Sequence, residues 1–471
     1  MTQVVFSPID GSVLREQPLT SVEEVEQGIR AARAAQVEWA RRPPTERGRL
    51  IARVADLIES RAEEIAELES RNTGKLLVDT RREVMRAAGS FRYYGGWADK
   101  VVGEMIPVDQ DHLIYTSPEP FGVAAGIIPW NVPFFFAAKK IAPALAFGNA
   151  CVLKPAEDTP LTALLLKELV VQAGIPDDLV QVFVGGREVG AAVVSSPNVD
   201  LIVFTGSDAT GKAIARSAAD RLVPVAMELG GKSPQIVFQD ADLERAADAI
   251  TVGVFATAGQ MCIAGSRLVV HKSVHKQLLE SLAERVRALK VGNPFDAGTN
   301  VGPQITSLQR DKTLQFIEET SKIGRVVAQA AMPTDPALSG GFYVPPTIFD
   351  DLPPDARVLR DEVFGPVLAV TTFDDDDEAV ALANSTDFGL AAGVWTSDIG
   401  RAHRVAAAVR AGTVWINTYR VLSEQVPFGG VGLSGYGREN GTEAARLYTR
   451  PKSVWTSLAP GAPKGFSLGE Q

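Results

Sequence analysis

The chain reads as an α/β protein built on a parallel sheet, and three observations carry that expectation. Short apolar, β-branched runs alternate with helical patterns through its middle. A second α/β pattern starts after about Gly231. Residues suited to chemistry (Lys154, Gly206, Glu228) stand where apolar runs end, the place where parallel sheets bind ligands.

The N-terminal region reads as helical. Ser21-Val-Glu-Glu24 has capping-box spacing, and apolar residues recur from there through Val37. A second amphipathic run extends from about Thr45 to Asn72, with Gly74 as its stop. The alternation then follows as strand Val123–Ile128, helix Phe134–Phe147, strand Val152–Leu153 and helix Pro160–Ala173. Val180–Val184, Val189–Val194, Leu201–Phe204 and Ala209–Ala219 continue it. Beyond Gly231, helical stretches lie at Leu243–Ala258 and His275–Leu289, and strand-like runs at Val367–Thr372 and Gly393–Thr396. A helical Thr442–Leu447 precedes a terminal strand, Ser453–Leu458, which has no sequential partner and so is expected to pair elsewhere. No internal repeat or low-complexity block interrupts this order.

With 471 residues, 45% hydrophobic and 22% charged, the chain has material for two or three globular domains. Its net charge of −10 and lack of a Lys/Arg-rich run give no electrostatic footprint for nucleic acid or an anionic membrane. Two cysteines form no disulfide framework, which favours a reducing cytoplasm. The N-terminus lacks the basic-then-apolar pattern of a signal peptide. Phe121–Ala138 carries no charge, yet Pro129, Asn131 and Pro133 interrupt it. It reads as buried strand, turn and helix start rather than a membrane span.

Two motifs resemble other things. Gly206-Ser-Asp-Ala-Thr-Gly211-Lys212 nearly matches a nucleoside-triphosphate loop, but Ala213 replaces the hydroxyl that would hold magnesium. A turn of this kind entering a helix still suits a dinucleotide pyrophosphate. Gly430-Val-Gly432-Leu-Ser-Gly435 matches GxGxxG without the preceding strand or following helix, and reads as a tight structural turn.

Gly259-Gln-Met-Cys262 places a thiol after the small-residue end of a helix. A lone cysteine is more often a buried small hydrophobe, as Cys151 is in the apolar Ala150-Cys-Val-Leu153. Around Cys262 the other motifs matter: Met227-Glu-Leu-Gly-Gly-Lys232 ends an apolar run with a carboxylate, Pro129-Trp-Asn131 offers an amide in a turn, and Leu153-Lys-Pro-Ala-Glu157 supplies a cation and an acid.

These motifs, with Phe204-Thr-Gly-Ser207, Glu362-Val-Phe-Gly-Pro366 and Pro427-Phe-Gly-Gly430, run in one order over most of the chain. The whole chain resembles the NAD(P)-dependent aldehyde dehydrogenase superfamily. The resemblance implies a Rossmann-like cofactor domain (1–100 and 120–230), a catalytic α/β domain (231–440), and a small β oligomerisation element with the C-terminal tail (101–119 and 441–471). A homodimer or homotetramer is implied with it.

The same resemblance implies roles. Cys262 would be the nucleophile, Glu228 the general base and Asn131, with the Cys262 backbone N–H, the oxyanion donors. NAD would bind through Lys154 and Glu157 at the adenosine ribose, Ser207 at the pyrophosphate and Glu362 at the nicotinamide ribose, with Phe364 nearby. Ile128, Pro129, Trp130, Gly186, Phe204, Gly206, Thr210, Leu229 and Gly230 would complete the cofactor site. Glu157 would repel a 2′-phosphate and so favours NAD over NADP. Val132, Phe136, Lys139, Met261, Ile263, Arg420, Val421, Leu422 and Phe428 would line the substrate approach. No His/Cys cluster has zinc spacing, so no metal is expected.

Two positions depart from the usual pattern: Lys139 stands where many members have Trp, and Gly432 where many have Lys. Lys139 and Arg420 are expected either to flank the tunnel mouth and favour an acidic aldehyde, or to be solvated rim charges. Phe134, Phe135 and Phe136 suggest an apolar or aromatic inner pocket. A CoA-acylating dehydrogenase, and a semialdehyde dehydrogenase preferring NADP, are the alternatives; the first commonly lacks the base. A thiol hydrolase would need a Cys–His pair, and His112, His271, His275 and His403 lie outside every motif.

Overall fold

The computed structural model describes residues 2–458. An N-terminal hairpin, β1 (Thr2–Phe6) and β2 (Val13–Pro18), is followed by four helices: α1 (Val22–Arg41), α2 (Pro44–Ser60), α3 (Ala62–Thr73) and α4 (Leu77–Trp97). The capping box forms as expected, Glu24 N–H donating to Ser21 Oγ at 3.2 Å and Ser21 N–H to Glu24 at 2.7 Å. The single helix expected from Thr45 to Asn72 is two. Arg61 leaves helical geometry at φ −118°, ψ 20° and pairs its guanidinium with Glu64 in the next turn. Gly74 caps α3 in the left-handed region, φ +74°.

After β3 (His112–Pro120) comes the alternating segment: β4 (Val123–Ile127), α5 (Pro133–Ala146), β5 (Ala150–Lys154), α6 (Leu161–Gln172), β6 (Val180–Val182), α7 (Arg187–Ser195), β7 (Leu201–Thr205), α8 (Asp208–Ala219) and β8 (Val225–Glu228). These five strands form a parallel sheet in the order β8-β7-β4-β5-β6, and a short sixth strand (Gly435–Tyr436) joins it beside β8. β4, β5 and β7 are buried on both faces, as a parallel sheet covered by helices requires. The chain starts at β4, winds outward to β6, then returns to β7 on the other side. The strand order therefore reverses between β4 and β7, and a crevice opens beyond their carboxyl ends.

The second α/β half contains β9 (Pro234–Val237), α9 (Leu243–Phe255), β10 (Arg267–His271), α10 (Lys272–Ala288), α11 (Ser307–Ser321), β11 (Arg325–Gln329), β12 (Thr347–Asp350), α12 (Arg357–Arg360) and β13 (Val367–Phe373). It continues with α13 (Asp376–Ala383), β14 (Phe388–Gly389), β15 (Ala391–Trp395), α14 (Ile399–Ala408) and β16 (Thr413–Ile416). A seven-stranded sheet forms in the order β11-β12-β13-β10-β9-β15-β16.

The Gly430–Gly435 turn carries two short strands, β17 (Val431–Gly432) and β18 (Gly435–Tyr436). β18 joins the first sheet, pairing Gly435 with Glu228, so the chain returns from the second half to the end of β8. Gly432 has φ +61°, and a Cβ there would lie 2.5 Å from the Asp387 carbonyl oxygen. The turn itself thus disfavours any side chain at this position.

Helix α15 (Glu443–Tyr448) leads into β19 (Thr449–Ser457), the expected terminal strand, which pairs antiparallel with β3 over nine residue pairs. The 459–471 part of the expected tail lies outside the described residues. Among the described residues no helix is long and apolar enough to cross a membrane. Phe121–Ala138 forms strand, turn and helix start.

Candidate active site

Cys262 owes its position to a tense stretch of backbone. Helix α9 ends at Phe255, and Thr257, Ala258 and Gly259 follow with φ of +57°, +52° and +72°. Left-handed backbone at a β-branched Thr and an Ala costs on the order of 1–3 kcal/mol each, and persists only where the surroundings impose it. Here Gln304 Nε2 donates to the Ala258 carbonyl at 3.3 Å, and Ile305 N–H to Gln260 Oε1 at 3.0 Å. Gly259 abuts Gly365 so closely that a Cβ would lie 2.2 Å from its carbonyl. The expected helix to Ala258 is thus cut short, and the cut aims the half-buried Cys262 into the crevice. Burial pushes its thiol up to about 12, with the Glu362 and Glu228 carboxylates adding and Lys139 opposing.

Asn131 lies in the turn between β4 and α5, its Nδ2 donating to the Gln260 carbonyl at 2.8 Å. The Asn131 side chain and the loop carrying Cys262 are thereby tied directly. Glu228 ends β8 and is buried, with Oε2 unpartnered. Burial raises its carboxyl above the usual range, and the nearby Glu439 carboxylate raises it further; Lys139, Lys140 and Arg438 oppose. Glu439 is bracketed by Lys139, at 2.7 Å, and Lys140; Lys140 also donates to Thr205 Oγ1 at 2.9 Å. Two ammonium groups hold Glu439 ionised, below the usual carboxylate range.

Three cavities surround these groups. The first, about 190 Å³, is lined by Pro129, Trp130, Asn131, Phe136, Gly206, Ser207, Glu228, Leu229, Gly230, Cys262, Glu362 and Phe364, with Thr205, Gln309 and Lys312. Phe364, at φ +56°, meets the Trp130 ring edge-on at 5.3 Å. Glu362 accepts from Gly231 N–H at 2.9 Å, and a Cβ on Gly230 would lie 2.2 Å from its Oε2. Burial pushes the Glu362 carboxyl up to about 7.

A second cavity, about 660 Å³, holds Lys154, Glu157, Gly186 and Thr210 beside the α8 N-terminus. Ser207 caps that helix by accepting from Thr210 N–H, and Lys154 reaches Glu157 at 3.0 Å. Arg187 also lines it and lies in none of the motifs above. Ile128 and Phe204 are buried in the core beneath, and Ile127 faces this cavity instead.

The third cavity, about 300 Å³, opens on the other side of Cys262. Val132, Phe136, Lys139, Met261, Ile263, Arg420, Leu422 and Phe428 line it together, joined by Phe135, Thr257 and Asn440. Three expectations need correction. Phe134, unlike Phe135 and Phe136, is fully buried in the core and lines none of the three cavities. Val421 does not line the third cavity; the residue is 64% exposed and contributes only its carbonyl, which accepts from Trp415 Nε1. Lys139 is no rim charge, solvated or otherwise: it is 5% exposed, paired with Glu439, and its ammonium lies 4.8 Å from the Phe428 ring centroid. Helix α4 adds Asp79, Arg82, Glu83 and Arg86, which no motif announced. Their i, i+3, i+4, i+7 spacing on one helical face is the signal that finds them.

Comparison with known proteins decides the family. The aldehyde dehydrogenase family model matches residues 1–454. The chain belongs to the aldehyde dehydrogenase family. It is 44% identical to a betaine aldehyde dehydrogenase of Cereibacter sphaeroides, covering 97% of this chain and 94% of that protein. It is 43% identical to an Acinetobacter baylyi (Z)-2-((N-methylformamido)methylene)-5-hydroxybutyrolactone dehydrogenase, covering 96% and 93%. The solved structure of a Staphylococcus aureus betaine aldehyde dehydrogenase in complex with NAD+ is 37% identical and superposes with a TM-score of 0.96, covering 99% of this chain and 94% of that one. Among the described residues no group of three or more His, Cys, Asp or Glu could hold a metal ion.

Proposed function

We propose that this member of the aldehyde dehydrogenase family oxidises an aldehyde carrying a distal acidic group to the carboxylic acid, with NAD and Cys262 as nucleophile. One observation carries the mechanism: Cys262 lines both the 190 Å³ and the 300 Å³ cavities, so reagents entering from opposite sides meet at its sulfur.

The donor set fits a dinucleotide. The capped α8 N-terminus suits a pyrophosphate, Lys154 and Glu157 suit ribose hydroxyls, and the missing Gly230 side chain leaves Glu362 open to a second ribose. Glu157 in that position favours NAD over its 2′-phosphate form. When bound, NAD supplies the acceptor for the aldehyde's hydrogen with its electron pair.

The chain's own groups do the rest. Cys262 gives up its thiol proton to solvent as its sulfur adds to the aldehyde carbon, and the oxyanion is held by Asn131 Nδ2 and the Cys262 N–H; one such donor is worth roughly 10²–10³ in rate. Loss of the carbon-bound hydrogen with its electron pair leaves a thioester on Cys262. Glu228 then takes a proton from water as it attacks, and the acid leaves with the thiol regenerated. An intact, buried Glu228 favours hydrolysis over transfer to a second thiol such as CoA.

The substrate class rests on charge in the third cavity. Four cations line it, and three are matched: Arg82 by Asp79 at 3.2 Å, Arg86 by Glu424 at 3.3 Å, Lys139 by Glu439 at 2.7 Å. Among the described residues Arg420 has no carboxylate within ion-pair distance, and its Nη1 donates only to the Val252 carbonyl at 3.0 Å. A guanidinium with free donors suits a carboxylate. The face of Phe428, which a quaternary ammonium would need, is already turned to Lys139. Phe135 and Phe136 supply an apolar passage for an aliphatic or aromatic body.

The test follows NADH absorbance with NAD or NADP and a panel of aliphatic, aromatic, carboxylated and trimethylammonium aldehydes, beside a Cys262→Ala control. NAD reduction led by carboxylated aldehydes and lost in the control is the expected result. A trimethylammonium aldehyde turned over best would overturn the substrate class while leaving the mechanism standing.

A further inference from the structure

A carboxylate far from the reacting atoms has an unusual set of partners. Glu69, on α3, is fully buried. Its Oε2 accepts from Thr162 Oγ1 at 2.6 Å, and its Oε1 from Lys75 Nζ at 3.2 Å and from the backbone N–H of Phe134 at 3.3 Å. Lys75, itself 3% exposed, is shared with Glu83 on α4, which lines the third cavity.

Phe134 is the second residue of α5, and α5 begins without local help. Its N-cap is Val132, which makes no side-chain cap bond; Pro133 offers no N–H; and no acidic residue stands in the first turn. An uncapped, buried helix start leaves donors and the positive end of the dipole unanswered. Glu69 answers both from a distant part of the chain. The turn it fixes runs Asn131-Val132-Pro133-Phe134, so the anchored N–H is three residues from the amide that faces Gln260 beside Cys262.

We propose that Glu69 is a positioning residue for the oxyanion amide: it caps α5 from outside the helix and so sets where Asn131 Nδ2 sits, with Thr162 and Lys75 orienting it. The inference rests on the reading of Asn131 as an oxyanion donor. A donor displaced by a fraction of an ångström loses much of its effect, because preorganisation rather than presence confers it. Glu69→Gln keeps the shape and can still accept from Phe134 while losing the charge, so the fold is expected to survive.

The experiment is a double-mutant cycle read by the single-turnover burst of NADH in the wild-type protein, Glu69→Gln, Asn131→Ala and the double variant, with NAD affinity measured alongside. Glu69→Gln is expected to slow the burst roughly tenfold without changing NAD affinity. Asn131→Ala is expected to slow it roughly 10²–10³-fold, and the double variant no further. A purely structural role would slow the Asn131→Ala background by the same factor, and that result, like an unchanged burst in Glu69→Gln alone, overturns the proposal. A normal burst in Asn131→Ala would remove the Asn131 reading and this inference together. Thr162→Val, which withdraws one orienting donor, runs the same cycle should Glu69→Gln not fold.

Discussion

The two cavities that meet at Cys262 are built of different material. On one side, the wall is made of turns at strand ends: Pro129-Trp130-Asn131 after β4, Gly206-Ser207 after β7, Leu229-Gly230 after β8. Backbone N–H groups, glycine gaps and a helix start are what that wall offers to a ligand. On the other side, the wall is made of side chains reaching from helices α4 and α5 and from the 420–428 segment. A wall of backbone tolerates few changes and recognises what all its substrates share. A wall of side chains can be repainted without moving the fold.

The sharpest break between the sides comes from Glu228, to which the proposed mechanism gives a step of the reaction and no part in either wall's selectivity. Glu228→Gln is expected to lower steady-state turnover by about 10²–10⁴, the usual range for losing a general base, while one burst of NADH per active Cys262 remains. A lost burst would place Glu228 in the first half of the reaction. The pH dependence follows from the sign of its shift. Burial and Glu439 favour the protonated carboxyl, whereas the base acts deprotonated. Hydrolysis-limited turnover should therefore rise as pH climbs through neutrality, and Glu228→Gln should flatten that rise.

A smaller effect probes the backbone-built wall. Gly230→Ala places a methyl 2.2 Å from Glu362 Oε2, so the Glu362 carboxylate must move. The KM for NAD should rise about tenfold or more, since displacing one well-placed polar contact costs roughly 1.5–3 kcal/mol, while the ranking of aldehydes stays put. A changed aldehyde ranking with unchanged KM for NAD would mean that the two walls are not separable.

Legibility in the sequence follows the same division. Strand-end turns are contiguous in sequence, so the wall they form could be read as motifs, and Asn131, Glu228 and Cys262 indeed converge on one cavity. The alternation from Val123 to Ala219 was visible because β4, β5 and β7 are buried, largely apolar runs. What escaped reading is non-local. The break at Arg61 hides inside an uninterrupted amphipathic pattern. The left-handed Thr257 and Ala258 are imposed by Gln304 and Gly365, remote in sequence. Lys139 reads as a surface charge until Glu439 comes to lie against it, and nothing local announces that pairing. Helix α4 carries its four charged cavity residues on one face with no signature residue among them.

The mildest change tests the side-chain wall. Arg420 sits at φ +61°, tied through Nη1 to the Val252 carbonyl, with no carboxylate in ion-pair distance among the described residues. Truncation removes one hydrogen bond to a backbone carbonyl and relieves no buried ion pair, so the fold should hold. Arg420→Ala is expected to lower kcat/KM for a carboxylated aldehyde by roughly tenfold, the worth of one charge-assisted contact at a partly exposed site. It should leave an uncharged aldehyde of similar length within about twofold on the same scale, and KM for NAD unchanged. Arg420→Lys should recover only part of the loss, because a single ammonium cannot reproduce a two-pronged guanidinium contact. Equal losses for charged and uncharged aldehydes would assign Arg420 to holding the 420–428 segment against α9, and the acidic substrate class would lose its anchor.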